Sequence, residues 1–189
     1  MIVLIPVLAS FLQLPKPDKT HEKKPERISI ARHIQSKPFI VVWLIFTINI
    51  VAGMIFISFQ SPLLQDILKM RMSDGTNFSD GETMASLAAA GATLIAVSSV
   101  FNGMGRFAWG SISDKIGRMY TFRILLALQA VIFGLLILVH HPVVFSVLVC
   151  IVLLCYGGGF GVLPSLTKDM YGSKLMPSLY GAFLTAWSM

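Results

Sequence analysis

The chain has 189 residues, of which 55% are hydrophobic and 13% are charged. Water-soluble domains carry about 25% charged residues, so this composition excludes an ordinary soluble domain and predicts an all-α, polytopic transmembrane helical bundle. The net charge of +6 would suggest a nucleic-acid partner for a soluble protein. Here it is typical of basic loops on the cytoplasmic side of a membrane, and no nucleic acid is expected.

The first two segments differ sharply in polarity. Residues 1–14 are apolar, but as a helix they would extend only about 21 Å, which is less than a bilayer, so they are predicted to be the end of a truncated transmembrane helix. Residues 15–37 carry seven basic and three acidic side chains. Because basic loops stay in the cytoplasm, this segment is predicted to be a basic cytoplasmic loop of a protein in the cell membrane, plasma or inner.

Residues 38–189 are predicted to form the main transmembrane region of the chain. Four apolar segments are long enough to cross a bilayer, and a fifth is incomplete. Of the 15 basic residues, 12 fall in the three loops predicted to be cytoplasmic, which supports this arrangement. The predicted segments are 38–60, 84–109, 120–138, 143–162 and 179–189.

Arg106 lies well inside the predicted span 84–109. A charge in hydrocarbon costs roughly 2.5–3.5 kcal/mol on insertion scales, so such a residue usually faces a cavity and has a function. Ser99, Asn102 and Arg106 are spaced three and four residues apart, which places them on one face of a helix. This pattern predicts that Asn102 and Arg106 line an internal path, although a structural arginine that reaches toward the interface is the alternative.

Other polar residues in the spans are few. Asn49 is a candidate substrate ligand, but a hydrogen bond to a neighbouring helix is the interpretation we favour. Cys150 and Cys155 fall in one apolar segment and are predicted to be buried thiols, since a metal site needs more ligands. The sequence therefore predicts no cofactor, no metal site and no catalytic residue.

A compact pattern follows Arg106 and carries a resemblance. The residues Gly110, Asp114, Gly117 and Arg118 are spaced as in the loop typical of the major facilitator superfamily, where it lies between helices 2 and 3 and again between helices 8 and 9. Its position after a long basic linker resembles the second copy. The resemblance implies that residues 1–14 end helix 6, that residues 15–37 are the central loop between two halves, and that residues 38–189 belong to the C-terminal half, in which residues 179–189 begin helix 11. It also implies that the four motif residues form a cytoplasmic gate.

Two further stretches resemble the oxalate/formate antiporter family. They are the segment 102–110 around Arg106 and the segment 157–186, with its glycine run and the sequence around Asp169. The resemblance implies that Arg106 pairs with a substrate carboxylate. Oxalate transporters of that family place a lysine in helix 11, about where Trp187 stands here. One cation suits a monocarboxylate such as formate or lactate better than oxalate.

The predicted function is secondary active transport of a small carboxylate by alternating access. Arg106, Asn102, Asn49 and Trp187 are the predicted substrate-binding residues, and the expected partners are a coupled proton or counter-anion, the lipid bilayer and the missing N-terminal half of the carrier. The alternatives are a non-transporting truncated half-carrier and a carrier of the same superfamily for sugars or drugs. An integral membrane enzyme is not favoured, because no catalytic triad, metal cluster or carboxylate pair is apparent in the sequence.

Overall fold

The computed structural model describes residues 30–72 and 80–188. These residues are almost entirely helical, and no strand occurs among them, which confirms the predicted all-α fold. The predicted truncated helix 1–14, the first part of the predicted loop 15–37, and Met189 lie outside the described residues. In chain order the elements are α1 (Ile30–Ile34), α2 (Lys37–Arg71), α3 (Gly81–Ile116), α4 (Arg118–Leu136), α5 (Pro142–Leu184) and a 3-10 turn (Thr185–Ser188).

Four helices, α2 to α5, are long and apolar enough to cross a membrane. Two of them extend well beyond the predicted spans at their ends: α2 continues through Pro62 to Arg71, and α3 begins at Gly81 and ends at Ile116. An apolar run marks only the part of a helix that lies in hydrocarbon, about 30 Å, whereas α2 has 35 residues and a length of about 50 Å. The end segments of these helices therefore project past the apolar layer.

Helix α5 contains a break that divides it into two parts. Gly172 has φ 79° and ψ 167°, which is not helical, and separates residues 142–171 from residues 173–184. A positive φ of this size favours glycine, since a Cβ would clash with the backbone. The sequence had predicted a connection between spans 143–162 and 179–189, but in the structure α5 continues through Pro164 as far as this single residue.

The junction of α3 and α4 is also one glycine. Gly117 has φ 92°, its N–H donates to the Ser113 carbonyl at 3.0 Å, and its carbonyl accepts from the Thr121 N–H at 3.1 Å. The chain thus turns from one helix into the next through a single residue. Three of the four predicted motif residues, Gly110, Asp114 and Arg118, therefore lie on helices rather than in a loop.

The bundle is held together by the crossing of α3 and α5, which is its most extensive helix pair, with α2 packed against both. Small residues make this crossing close, because a Cβ on Gly105 would lie 2.1 Å from the Leu154 carbonyl oxygen. Close backbone approach is how membrane helices gain dispersion energy when lipid offers no hydrophobic driving force. Fully buried Phe46, Phe122 and Leu153 fill the space between the helices.

One buried polar pair joins α2 to α3. The Ser98 hydroxyl donates to Gln60 Oε1 at 2.8 Å, and both side chains are buried. We expect Ser98→Ala to lower the free energy of unfolding by about 0.6–1.7 kcal/mol, the range for interhelical hydrogen bonds in membranes. Thermal unfolding in detergent measures this loss.

Ser99→Ala is the control for that measurement. The exposed Ser99 hydroxyl donates to the Ile95 carbonyl of its own helix at 2.7 Å, so its removal breaks no contact between helices. Equal destabilisation by the two substitutions would show that the Ser98–Gln60 bond contributes nothing.

Candidate functional site

Arg106 lies on α3, opposite the segment 157–171 of α5. Its guanidinium carbon is 5.7 Å from the centre of the Phe160 ring. The side chain is exposed in this chain, and no carboxylate within residues 30–72 and 80–188 forms an ion pair with it. A guanidinium over an aromatic face gains about 0.5–2 kcal/mol, and its N–H donors stay open for an anion.

The direction of the Arg106 side chain bears on the alternative of a purely structural arginine. In a helix the Cα–Cβ bond tilts toward the N-terminus, which for α3 is the end away from Gly117. Phe160 immediately precedes Gly161 in α5, and an added Cβ on Gly161 would lie 2.9 Å from the Arg106 Cα. The guanidinium, which lies over the Phe160 ring, is thus beside the place where the two helices come close together.

Two aromatic rings pack against Phe160, and the three together form an aromatic cluster, defined as Phe46, Tyr156 and Phe160. The Phe160 ring meets Phe46 edge-on with centroids 5.0 Å apart, and meets Tyr156 edge-on at 5.2 Å. The Trp187 side chain lies beside that of Tyr156. Arg106 and Trp187, which are 81 positions apart in the sequence, therefore flank the same cluster.

Trp187 is placed by the 3-10 turn that follows α5. The Trp43 indole N–H donates to the Thr185 hydroxyl at 3.2 Å, which holds this turn against α2. One turn earlier, the rings of Phe39 and Phe183 stack with centroids 4.3 Å apart. Because 57% of the Trp187 side chain is exposed, its ring covers one side of the cluster without closing it.

The two predicted asparagines contact the same stretch of α5 from different sides. Asn49 is fully buried, and its Nδ2 donates to the Tyr156 carbonyl at 3.4 Å, which is the interhelical bond that the sequence favoured. Asn102 packs against Gly157. Within the described part of the chain, the buried Oδ1 atoms of Asn49 and Asn102 have no hydrogen-bond partner, so each can still accept one.

The four predicted residues thus meet at residues 156–161 of α5, but they are not equivalent. Arg106 and Trp187 border the aromatic cluster. Asn102 lies on the side of α3 that packs against α5, and Asn49 of α2 is hydrogen-bonded to the Tyr156 carbonyl. Sequence reasoning did not single out Tyr156 and Phe160. Their spacing of four residues, on either side of a glycine run, puts both rings on one helix face and is the signal that could have found them.

The four motif residues lie at the end of the bundle where α3 meets α4. Arg118 forms an ion pair with Asp114 at 2.9 Å and a second ion pair with Asp169 of α5. The Arg118 guanidinium also donates to the Ser113 hydroxyl at 3.3 Å. Arg118 thereby joins the α3–α4 junction to the end of the first part of α5. An added Cβ on Gly110, in contrast, would meet nothing within 4 Å.

An apolar groove and the acidic and thiol side chains of the described residues add nothing to this site. An apolar groove of about 600 Å³ opens between α2, α3 and α5 around Leu94, Val97 and Cys150, and no predicted site residue lines it. Cys150 and Cys155 are buried free thiols. Within the described residues, no three His, Cys, Asp or Glu side chains come close enough together to hold a metal ion.

Comparison with known proteins agrees with the helical architecture. The chain matches the family described as Major Facilitator Superfamily over residues 1–189. It is 35% identical to an oxalate:formate antiporter of Oxalobacter formigenes over 102 residues, which cover 52% of this chain and 24% of the antiporter. It is 27% identical to apicoplast pyruvate carrier 1 of Toxoplasma gondii over 166 residues, which cover 87% of this chain and 28% of that carrier.

The chain thus spans about a quarter of the length of these curated relatives. No solved structure matches it. The family match extends over the whole chain, and four helices are long and apolar enough to cross a membrane. The chain is therefore a multi-pass membrane protein that belongs to the major facilitator superfamily.

Proposed function

We propose that the carrier containing this chain moves a small carboxylate across a membrane, with Arg106 as the group that binds the anion. The observation that carries the proposal is a guanidinium that lies on an aromatic ring and is paired with no described carboxylate. Arginine keeps its charge at every physiological pH, and its planar fork matches a carboxylate with two parallel hydrogen bonds. An anionic substrate would supply the counter-charge that this position lacks.

The composition of the aromatic cluster supports a small substrate. Its rings provide flat apolar walls, and among the described residues the Arg106 donors, the Tyr156 hydroxyl and the Trp187 indole N–H bring polar atoms to it. A sugar would need several hydrogen-bonding side chains around its hydroxyls, since buried hydroxyls without partners are costly. A short carboxylate needs one cation and little else.

The names of the relatives point the same way. One is an oxalate:formate antiporter and the other is a pyruvate carrier, so both are named for small carboxylates. Among the described residues, Arg106 is the cation recorded at the aromatic cluster. One cation favours a monocarboxylate over a dianion, because a second uncompensated carboxylate in a low-dielectric site is costly. We therefore place formate, lactate or pyruvate before oxalate.

The transport step would follow the general scheme of this superfamily. Two halves of a carrier rock about a site near the middle of the membrane, so that the site opens to one side at a time. The ion pairs of Arg118 with Asp114 and Asp169 would stabilise the state in which the neighbouring helix ends are closed. The carrier would couple the substrate either to a proton or to a counter-anion.

Uptake into proteoliposomes tests the proposal. The full carrier is reconstituted and offered labelled formate, lactate, pyruvate and oxalate, with glucose as a neutral control, in vesicles that are either empty or loaded with unlabelled carboxylate. We expect saturable uptake of a monocarboxylate and none of glucose. Stimulation by the internal carboxylate indicates exchange, and stimulation by an inward proton gradient indicates symport. Uptake of glucose without uptake of any carboxylate would reject carboxylate transport.

A further inference from the structure

Four glycines of α5, at positions 157, 158, 159 and 161, each face a different residue of the neighbouring helices. A Cβ added to Gly159 would meet the Asn49 amide at 2.2 Å, and one added to Gly158 would meet the Trp109 ring at 2.4 Å. At Gly159 the obstacle is the amide end of the Asn49 side chain. At Gly158 the obstacles are the Trp109 ring and, at 2.9 Å, the Trp109 Cβ, and a change of rotamer moves the ring but not the Cβ. At Gly157 the obstacle is the α3 backbone at Asn102, and at Gly161 it is the α3 backbone at Arg106.

Gly161 touches the backbone of Arg106 itself. An added Cβ would lie 2.4 Å from the Arg106 carbonyl oxygen and 2.9 Å from its Cα. These atoms belong to a hydrogen-bonded helix turn and cannot move separately from it. To reach an ordinary van der Waals separation, this part of α3 would have to move away from α5 by about 1 Å.

Gly157 makes the same kind of contact one turn earlier. An added Cβ there would lie 2.0 Å from the Asn102 carbonyl oxygen and 2.6 Å from its Oδ1. Gly105 makes the reciprocal contact, since it lies on α3 and packs against the Leu154 carbonyl of α5. Because Gly105, Gly157 and Gly161 carry no side chain, the Asn102–Arg106 turn of α3 can lie this close to α5.

We propose that Gly161 and Gly157 are positioning residues of the Arg106 anion site, an inference that rests on the function proposed above. Phe160 is the chain neighbour of Gly161, so the spacing that Gly161 allows also sets the 5.7 Å distance from the Arg106 guanidinium to the Phe160 ring. A displacement of about 1 Å at a binding or reacting group can lower the efficiency of a site by about 100-fold. The glycines act through Arg106 and need not touch the substrate.

The chain offers two matched controls for a test of this inference. Gly158→Ala adds the same methyl group three residues before Gly161, with an equal closest approach of 2.4 Å, but meets the Trp109 side chain. Gly103→Ala lies on α3 one turn before Arg106, where an added Cβ meets nothing within 4 Å. The first control measures the effect of crowding this helix pair, and the second measures the effect of a glycine-to-alanine change in α3.

The experiment measures KM and maximal rate of carboxylate uptake for Gly161→Ala, Gly157→Ala and both controls in the full carrier. The temperature of unfolding in detergent is measured with and without the carboxylate. We expect Gly161→Ala to raise KM at least tenfold and to abolish the stabilisation by the carboxylate. Gly157→Ala and Gly158→Ala should raise KM less than Gly161→Ala, and Gly103→Ala should leave KM within about twofold of the parent carrier. The tenfold and twofold limits on KM are chosen against the effect of about 100-fold that a group misplaced by about 1 Å can have.

Three results would overturn the inference. The first is a KM for Gly161→Ala within twofold of the parent. The second is an equal rise in KM for Gly158→Ala, which would mean that crowding alone weakens binding. The third is failure of both Gly161→Ala and Gly157→Ala to insert, which would assign the glycines to helix-pair stability alone. Arg106→Ala run in parallel separates the two proposals: if it transports normally the proposed function fails, and if only it loses transport the positioning role fails.

Discussion

Replacing Arg106 by alanine is expected to reduce carboxylate uptake by the full carrier about 100-fold or more while membrane insertion is retained. The substitution removes the guanidinium that lies over Phe160 and leaves the anion without a counter-charge. Truncating one partner of a desolvated charge pair costs about 2–5 kcal/mol, and each 1.4 kcal/mol is tenfold in affinity. Uptake of the labelled carboxylate in proteoliposomes, normalised to the amount of inserted protein, measures the effect.

Two companion substitutions make the Arg106 result specific. Arg106→Lys keeps the charge but loses the planar fork, so we expect an intermediate loss of about tenfold. Arg123→Ala removes another guanidinium that also lies over an aromatic ring, 5.4 Å from the centre of Tyr120. That pair is outside the aromatic cluster, so uptake should be unchanged. Normal uptake by Arg106→Ala, or an equal loss in Arg123→Ala, would contradict the proposed anion site.

Replacing Arg118 by alanine is expected to lower the maximal transport rate about tenfold and to leave KM within about twofold. The change breaks the ion pairs with Asp114 and Asp169 and the hydrogen bond to Ser113, far along α3 from Arg106. Ion pairs with exposed partners contribute about 0–1 kcal/mol each, so losing both amounts to roughly tenfold in the balance between open and closed states. Initial rates over a range of substrate concentrations separate the two parameters.

A charge exchange tests whether the Arg118–Asp169 pair itself matters. Arg118→Asp alone should be at least as slow as Arg118→Ala, and combining it with Asp169→Arg should restore part of the rate, because the pair re-forms with reversed polarity. Lys168→Ala is the control, since Lys168 is exposed and neighbours Asp169. A rise in KM comparable to that of Arg106→Ala, or no recovery in the exchanged pair, would argue against a gating role.

The helices that cross the membrane were predictable because hydrocarbon imposes a simple length requirement. An apolar run of about 20 residues must form a helix there, since an unpaired backbone group in lipid is too costly. The turn at Gly117 was also predictable, because a glycine beside charged residues at the end of an apolar run marks a break. The helix ends were not, since outside hydrocarbon the 61–71 segment of α2 and the 164–171 segment of α5 have no such signature.

The surroundings of Arg106 show where sequence reasoning stops. The sequence placed a charge in a membrane helix and predicted that it faces a cavity, but it did not identify Phe160 or Tyr156 as its neighbours. Those contacts join segments about 50 residues apart, and many pairings of the same helices would bury equal apolar area. Which pairing forms depends on how closely two backbones approach, and glycines at the crossing decide that.

The same division applies to the protein as a whole. Its amino-acid sequence alone determined a helical membrane protein with four complete spans and an arginine inside one of them, because each of these follows from local composition and the thickness of a bilayer. Only the tertiary structure decided that Arg118 pairs with Asp169, that Asn49 bonds to α5, and that Arg106 and Trp187 border one aromatic cluster. These are contacts between distant segments, and they depend on the fit of whole helix surfaces rather than on any one residue.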